Sequence, residues 1–314
     1  MNFLRFAQPL PEPRVTGRQR FPRIIGLTGL VLVAAALQAC SAVKLAYNNA
    51  PELAYWYFDG YADFNSVQSL HVKEELAGLQ AWHRQTQLPG YIDSLQKIRQ
   101  KMPGELDAAQ ACEVFGDARR KMIAVTDHAE PAVAALAVTL SPAQLVNMER
   151  KFEKGNTRYR EDYLEATPKE SRNKRYKEAV NRAEMLYGRL DQKQLERIGY
   201  AIDQSGFNAR LSYEERLRRQ KDVIQTVRSI ATGETPNPGA TEKARAVVRG
   251  LLERSFNSPS AAYRDYLDKL TQGGCRSFAD LHNSTTAAQR SKAMETIGGY
   301  ERDLKALVSK SQAS

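Results

Sequence analysis

Apolar residues recur along most of the chain at steps of three and four. In 142–164 the stripe is Leu145, Met148, Phe152, Tyr159 and Tyr163. In 169–190 it is Tyr176, Ala179, Val180, Ala183, Leu186 and Leu190. Later stripes hold Leu217, Ile224, Val227 and Ile230, then Ala244, Val247, Val248, Leu251 and Leu252, then Met294, Ile297, Leu304, Leu307 and Val308. This is the period of an amphipathic helix, and no long alternating run predicts a strand. Turn residues interrupt the pattern at Leu88-Pro89-Gly90, Met102-Pro103-Gly104, Thr167-Pro168, Ser258-Pro259 and Gly273-Gly274. The pattern predicts an all-α protein, an elongated multi-helix bundle of about eight to ten helices after an N-terminal segment. The stretch 233–239 (GETPNPG) is a candidate hinge between a central helical region, 66–232, and a C-terminal one, 240–314.

A short pattern marks several helix starts. Residues 106–110 read LDAAQ, 140–144 LSPAQ and 190–194 LDQKQ, with TTAAQ at 285–289 a weaker fourth. Asp107, Ser141, Asp191 and Thr286 stand where a side-chain oxygen accepts from the first helical amides. Gln110, Gln144, Gln194 and Gln289, three residues on, can reach back to the cap amide, which makes a capping box. Leu140 with Leu145, and Leu190 with Leu195, are spaced as hydrophobic staples. Pro142 occupies the first helical position, where its missing N–H is no loss. The unequal spacing of the copies excludes a regular solenoid.

The N-terminus has a different character. Arg5, Arg14, Arg18, Arg20 and Arg23 precede an apolar run from Ile24 to Leu37, followed by Leu37-Gln38-Ala39-Cys40-Ser41. Fourteen apolar residues are short of the roughly twenty that span a bilayer. The order resembles a bacterial lipoprotein signal. The resemblance implies a signal peptide at 1–39, cleavage before Cys40 and acylation of Cys40 as the membrane anchor. Ser41, where an Asp would favour inner-membrane retention, implies an outer-membrane address on the periplasmic side. The alternative is an uncleaved N-terminal anchor. The segment 40–65 that follows holds seven aromatics, Tyr47, Tyr55, Trp56, Tyr57, Phe58, Tyr61 and Phe64. They read either as an interfacial element or as a helix packed on the body. Asp59 and Asp63 lie four apart, as a weak cation pair or a solvated face.

Composition changes once that processing is considered. The 314-residue chain has a formal net charge of +10, with 42% hydrophobic and 26% charged residues, which fits a folded protein. A mean hydropathy of −0.54 excludes a multi-span membrane protein. From Cys40 onward there are 41 basic and 35 acidic residues, a net of +6. The excess falls between Arg150 and Lys221, in the clusters Arg172, Lys174, Arg175, Lys177 and Arg216, Arg218, Arg219, Lys221. Such clusters suit an anionic lipid or lipopolysaccharide surface, or form a salt-bridged face. Behind a lipoprotein signal, nucleic acid is not the expected polyanion. With Cys40 lipidated, Cys112 and Cys275 are left, either bridged in an oxidising compartment or as two free thiols.

Two wider resemblances follow. The helix starts resemble the LTxxQ motif of periplasmic proteins of the Spy and CpxP type, which implies a chaperone or envelope-stress role. The lipobox, the run LAYNNAPELAYWYFDGYADF, Ala81-Trp82-His83-Arg84, Leu88-Pro89, LSPAQ and LHNSTTAAQR together resemble a family of uncharacterised proteobacterial lipoproteins. That implies an all-helical envelope lipoprotein and transfers no activity.

Catalytic patterns are missing from the sequence. His71, His83, His128 and His282 form no HExxH pair and no metal spacing with cysteine, and His71 with Glu74 and Glu75 is the nearest approach. No G-x-S-x-G, phosphate loop or dinucleotide fingerprint occurs. The expectation is a non-enzymatic protein without cofactor beyond the lipid on Cys40, binding or scaffolding an envelope partner. A holdase-like chaperone comes second, and an envelope hydrolase with an unrecognised site third.

Overall fold

The computed structural model describes residues 42–233 and 238–312. Among them the protein is all-α, a multi-helix bundle with no strand. The helices are α1 (Ala42–Asn48), α2 (Ala50–Ala62), α3 (Ser66–Trp82), α4 (Leu88–Lys101), α5 (Ala108–Thr139), α6 (Pro142–Tyr163), α7 (Pro168–Tyr187), α8 (Gln192–Asp203), α9 (Ala209–Ile230), α10 (Pro238–Phe256), α11 (Ala261–Asn283) and α12 (Ala287–Gln312). No single helix among the described residues is long and apolar enough to cross a membrane.

Local chemistry explains most of the boundaries. Prolines sit in the first turns of α2, α4, α6 and α7, where no amide is required. α3 runs into α4 through a π-helical turn, His83–Gln87, in which the Leu88 amide donates to the His83 carbonyl. Pro89 lacks an N–H and its ring would press on the carbonyl four residues back, so the wider turn carries the chain past it. Asp63 ends α2 with φ 51°, a left-handed conformation that a short polar residue tolerates. Gly188 ends α7 with φ 73°, where a side chain would be strained.

Residues Val43–Ser314 form one compact unit. A first core joins Met102, Leu106, Ala183, Tyr187, Leu190, Ile198, Leu281, Ala293 and Ile297. A second joins Ala62, Ala137, Leu140, Leu145, Ile224 and Val227. A third packs Ala134 and Val138 of α5 on Ala244 and Val248 of α10. The long helix α5 thus lines two cores at once. Leu106, Leu140 and Leu190, each standing just before a cap, are buried in them, a burial that contributes about 2 kcal/mol apiece.

Of the candidate hinge 233–239, residues 234–237 lie outside the described residues, as do the signal segment 1–39 and Cys40. The Thr232 and Gly233 amides both donate to the Val138 carbonyl, at 2.8 and 3.3 Å. That ties the end of α9 to the end of α5. Cys112 of α5 and Cys275 of α11 form a disulfide with Cα atoms 5.3 Å apart, closing a loop of 163 residues. Cys275 is fully buried.

Candidate functional site

The recurring helix starts are capping boxes, and most of them are braced against a second box. Asp107, Ser141 and Asp191 accept from the backbone amides of Gln110, Gln144 and Gln194 at 2.7, 3.3 and 2.9 Å, and each glutamine accepts from the cap amide in return. Thr286 and Gln289 make the same pair of bonds, at 3.2 and 2.9 Å. Two boxes went unrecognised in the sequence, Asn65 with Gln68 and Thr167 with Glu170. The signal was present as cap-x-x-Gln and cap-x-x-Glu.

Four of these boxes face each other in pairs. The Gln68 amide donates to the Gln144 carbonyl oxygen at 3.3 Å, and the Gln144 amide donates to Gln68 at 2.7 Å. Each also donates to the backbone carbonyl two residues before the opposite cap: Gln68 to Thr139 at 3.0 Å, and Gln144 to Asp63 at 3.1 Å. Gln194 and Gln289 repeat the arrangement, exchanging bonds at 2.8 and 2.9 Å and donating to Ser284 and Arg189. The α3 and α6 starts are therefore joined at one place, and the α8 and α12 starts at another. The Asp107 box is held differently, because Asn283 bonds both the amide and the carbonyl of Leu106 at 2.9 Å.

The basic clusters are drawn into the fold. Arg172 binds Asp203 through two bonds, at 2.6 and 2.8 Å, and Lys174 pairs with Asp162. Arg175 lies over the Phe207 ring and donates to the Ile202 carbonyl. Arg216 bonds Asn156 and lies over Tyr159. Arg218 and Arg219 converge on Glu215, which is 4% exposed and also accepts from Ser258. Burial pushes the Glu215 carboxyl up, but the bonds from Arg218, Arg219 and Ser258 outweigh it and leave it below the usual carboxylate range. Lys177 and Lys221 are exposed. Sequence reading missed a parallel clamp on α10, where Arg245 and Arg249 bond Glu130 at 3.0 and 2.7 Å. Burial again raises that carboxyl, and the two arginines hold it low.

The histidines divide by environment. His282 is fully buried: Tyr187 donates to Nδ1 at 2.9 Å, and Nε2 donates to the Gly104 carbonyl at 2.9 Å. Burial lowers its pKa and raises that of Tyr187. Trp82 stacks on His128 at 3.8 Å, and the Tyr47 hydroxyl shares a hydrogen bond with His83 Nδ1 at 3.0 Å. His71 stands 3.9 Å from Glu75 at the surface. Asp59 accepts from the Phe64 amide at 3.0 Å and so helps to end α2. Among the described residues no group of three acidic, histidine or cysteine side chains is placed to hold a metal.

One open groove runs between α6 and α9, with a volume of about 320 Å³. Its lining holds the apolar Phe152, Leu217 and Ile224 together with the charged Glu149, Glu153, Lys221 and Arg228. Asn156 and Gln220 also line it, and the buried Asn156 exchanges bonds with Gln220 at 2.8 and 2.9 Å. The groove surface is therefore mixed, with polar and apolar side chains side by side.

Seven aromatics precede this body. Tyr55 donates to Ser69, Tyr61 packs on Phe152, and Phe64 joins the second core. Trp56 is 67% exposed and donates only to Glu52, one turn back. The aromatic segment therefore has an inward and an outward side.

Neither the curated proteins nor the solved structures contain a match to this chain. Residues 60–237 match a protein-family model, from the end of α2 to the segment before α10, and that span contains the whole α6–α9 groove and the Gln68–Gln144 pair. The match covers more than half of the chain, which therefore belongs to DUF6279, a family of unknown function.

Proposed function

We propose that this protein is a non-enzymatic, lipid-anchored envelope protein that binds a protein partner at the periplasmic face of the outer membrane. The observation that carries the reading is the α6–α9 groove, lined by the apolar Phe152, Leu217 and Ile224 and by polar and charged side chains of both signs. Such a groove is too open to bury a small molecule, and it suits the apolar side of an amphipathic helix. The groove lies in a cross-braced body, so little ordering is needed on binding. The anchor rests on the order of basic residues, apolar run and Cys40 in the sequence. The basic clusters have internal partners, which favours a protein over a polyanion as the ligand.

A photo-crosslinking residue at Leu217, with Tyr200 as the control, tests the groove in cells. Both side chains are exposed, and Tyr200 lies on α8. The expected result is one discrete adduct from position 217 that Lys221→Glu weakens. Equal labelling from both positions would overturn the reading. Cys40→Ala should abolish fatty-acid labelling and leave the precursor uncleaved.

A holdase reading is the alternative. It is supported by the large apolar side chains left on the surface, among them Met185 at 68% and Val146 at 58% exposure. Suppression of client aggregation by the purified body, unaffected by Lys221→Glu, would favour it.

A further inference from the structure

Apolar exposure is concentrated at one end of the described chain. Of the seventeen large hydrophobic side chains left exposed among the described residues, seven lie between Leu45 and Leu70. On α2, Leu53, Trp56 and Tyr57 follow the i, i+3, i+4 spacing of one helical face, and their exposures are 46%, 67% and 47%. Leu45 on α1 is 60% exposed, and Val67 and Leu70 on α3 are 77% and 63% exposed. Tyr55 and Ala62 lie on the other side of α2 and pack inward, while Tyr61, one turn after Tyr57, marks the edge of the outward face and packs on Phe152. An outward apolar face of this density is unusual unless something covers it.

The chain itself indicates what that is. Ala42, the first residue of α1, is two residues from Cys40, a span of at most about 7 Å. A lipid on Cys40 would therefore hold α1 at the bilayer surface. Trp56 follows within the length of two short helices. Its composition also suits the headgroup layer, where Trp and Tyr concentrate. Residues 42–64 carry one cation, Lys44, against Glu52, Asp59 and Asp63. The segment itself therefore has no positive excess to draw anionic lipid, although Lys73 and Lys151 lie against Tyr55 and Tyr61, and its own charge points to a zwitterionic surface.

We infer that the outward face of α2, centred on Leu53 and Trp56, lies in the headgroup layer of a zwitterionic membrane and so fixes the orientation of the body on its anchor. This rests on the anchored reading proposed above. The contact is apolar and interfacial, so it is insensitive to salt.

The chain has two tryptophans, Trp56 and Trp82, and Trp82 is stacked on His128. That makes Trp56 a reporter. The full lipidated protein is reconstituted in phosphatidylcholine vesicles with and without brominated lipid, and its emission is compared with that of Trp56→Phe. The expected result is a blue-shifted Trp56 component, quenched about two-fold by brominated lipid and unchanged in high salt. Trp56→Phe should remove the quenched component, and Leu53→Glu should restore access to acrylamide. A protein with lipidated mass that pellets with vesicles while Trp56 stays open to acrylamide would overturn this inference and leave the anchor intact. A mature protein without lipid mass would overturn the anchor, and the inference with it. Shielding of Trp56 that needs no lipid and rises with protein concentration would assign the face to a second copy and overturn the inference.

Discussion

Gln68 and Gln144 each cap a helix and each hydrogen-bond the other, across 76 residues of sequence. Either side chain therefore serves three ends: its own cap amide, the opposite glutamine, and the carbonyl that precedes the opposite cap. Burial makes these bonds matter, since both residues are under 9% exposed.

This reciprocity predicts strong coupling. Gln68→Ala and Gln144→Ala should each cost about 1–3 kcal/mol, because each leaves buried partners unpaired. The double variant should cost less than the sum, by at least about 0.5 kcal/mol. Urea unfolding of the four proteins measures it, and simple additivity would show that the two caps act independently.

The Cys112–Cys275 bridge should stabilise the body considerably. It closes a loop of 163 residues, for which chain entropy gives about 4–5 kcal/mol, with measured bridges often lower. Reductant should lower Tm in the native protein and have no effect on a Cys112→Ser, Cys275→Ser double variant. Alkylation of both thiols in the unreduced protein would contradict the bridge.

His282 makes stability depend on pH in a known direction. Its folded pKa lies below that of the unfolded chain, because burial disfavours the charged ring. The unfolded state then binds more protons, so stability is intact above about pH 6.5 and declines as pH falls below it. His282→Gln should flatten the fall in Tm between about pH 6.5 and 5. An unchanged slope would assign the effect elsewhere; His83, also lowered by burial, is then the next candidate.

The Glu130 clamp acts at lower pH. Its carboxyl is held low by Arg249 and Arg245, so its contribution is present above the ordinary carboxylate range and is lost as pH falls through the folded value. Glu130→Gln should destabilise by about 1–3 kcal/mol, below the value for a fully buried pair because both arginines reach water. Arg249→Ala should cost less, since Arg245 stays bound. Thermal melts at pH 7 compare them, and equal losses would argue against a shared clamp.

The outward side of α2 illustrates a limit of sequence reading. Seven aromatics in 24 residues signal a surface that packs or inserts, and Tyr61 and Trp56 have the same composition-level signature. Only the placement of α6 and α3 separates Tyr61, which is covered, from Trp56, which is not. The charge excess between Arg150 and Lys221 is a similar case. It reads as a basic surface until folding brings Asp203 and Asp162 against Arg172 and Lys174, whereas Glu215 is a partner within one turn of Arg218 and Arg219.

Sequence alone determined what depends on neighbours within about four residues. The helical period, the breaks at proline and glycine, and the caps at Asp107, Ser141, Asp191 and Thr286 belong to that class, because a capping oxygen and its amide lie within one turn. Tertiary structure decided which glutamine meets which, that Cys112 lies beside Cys275, and where the cations are neutralised. The glutamine pairs, the disulfide and the Arg172–Asp203 pair join residues from 31 to 163 positions apart. They follow from which apolar faces pack together, and no short window of sequence records that choice.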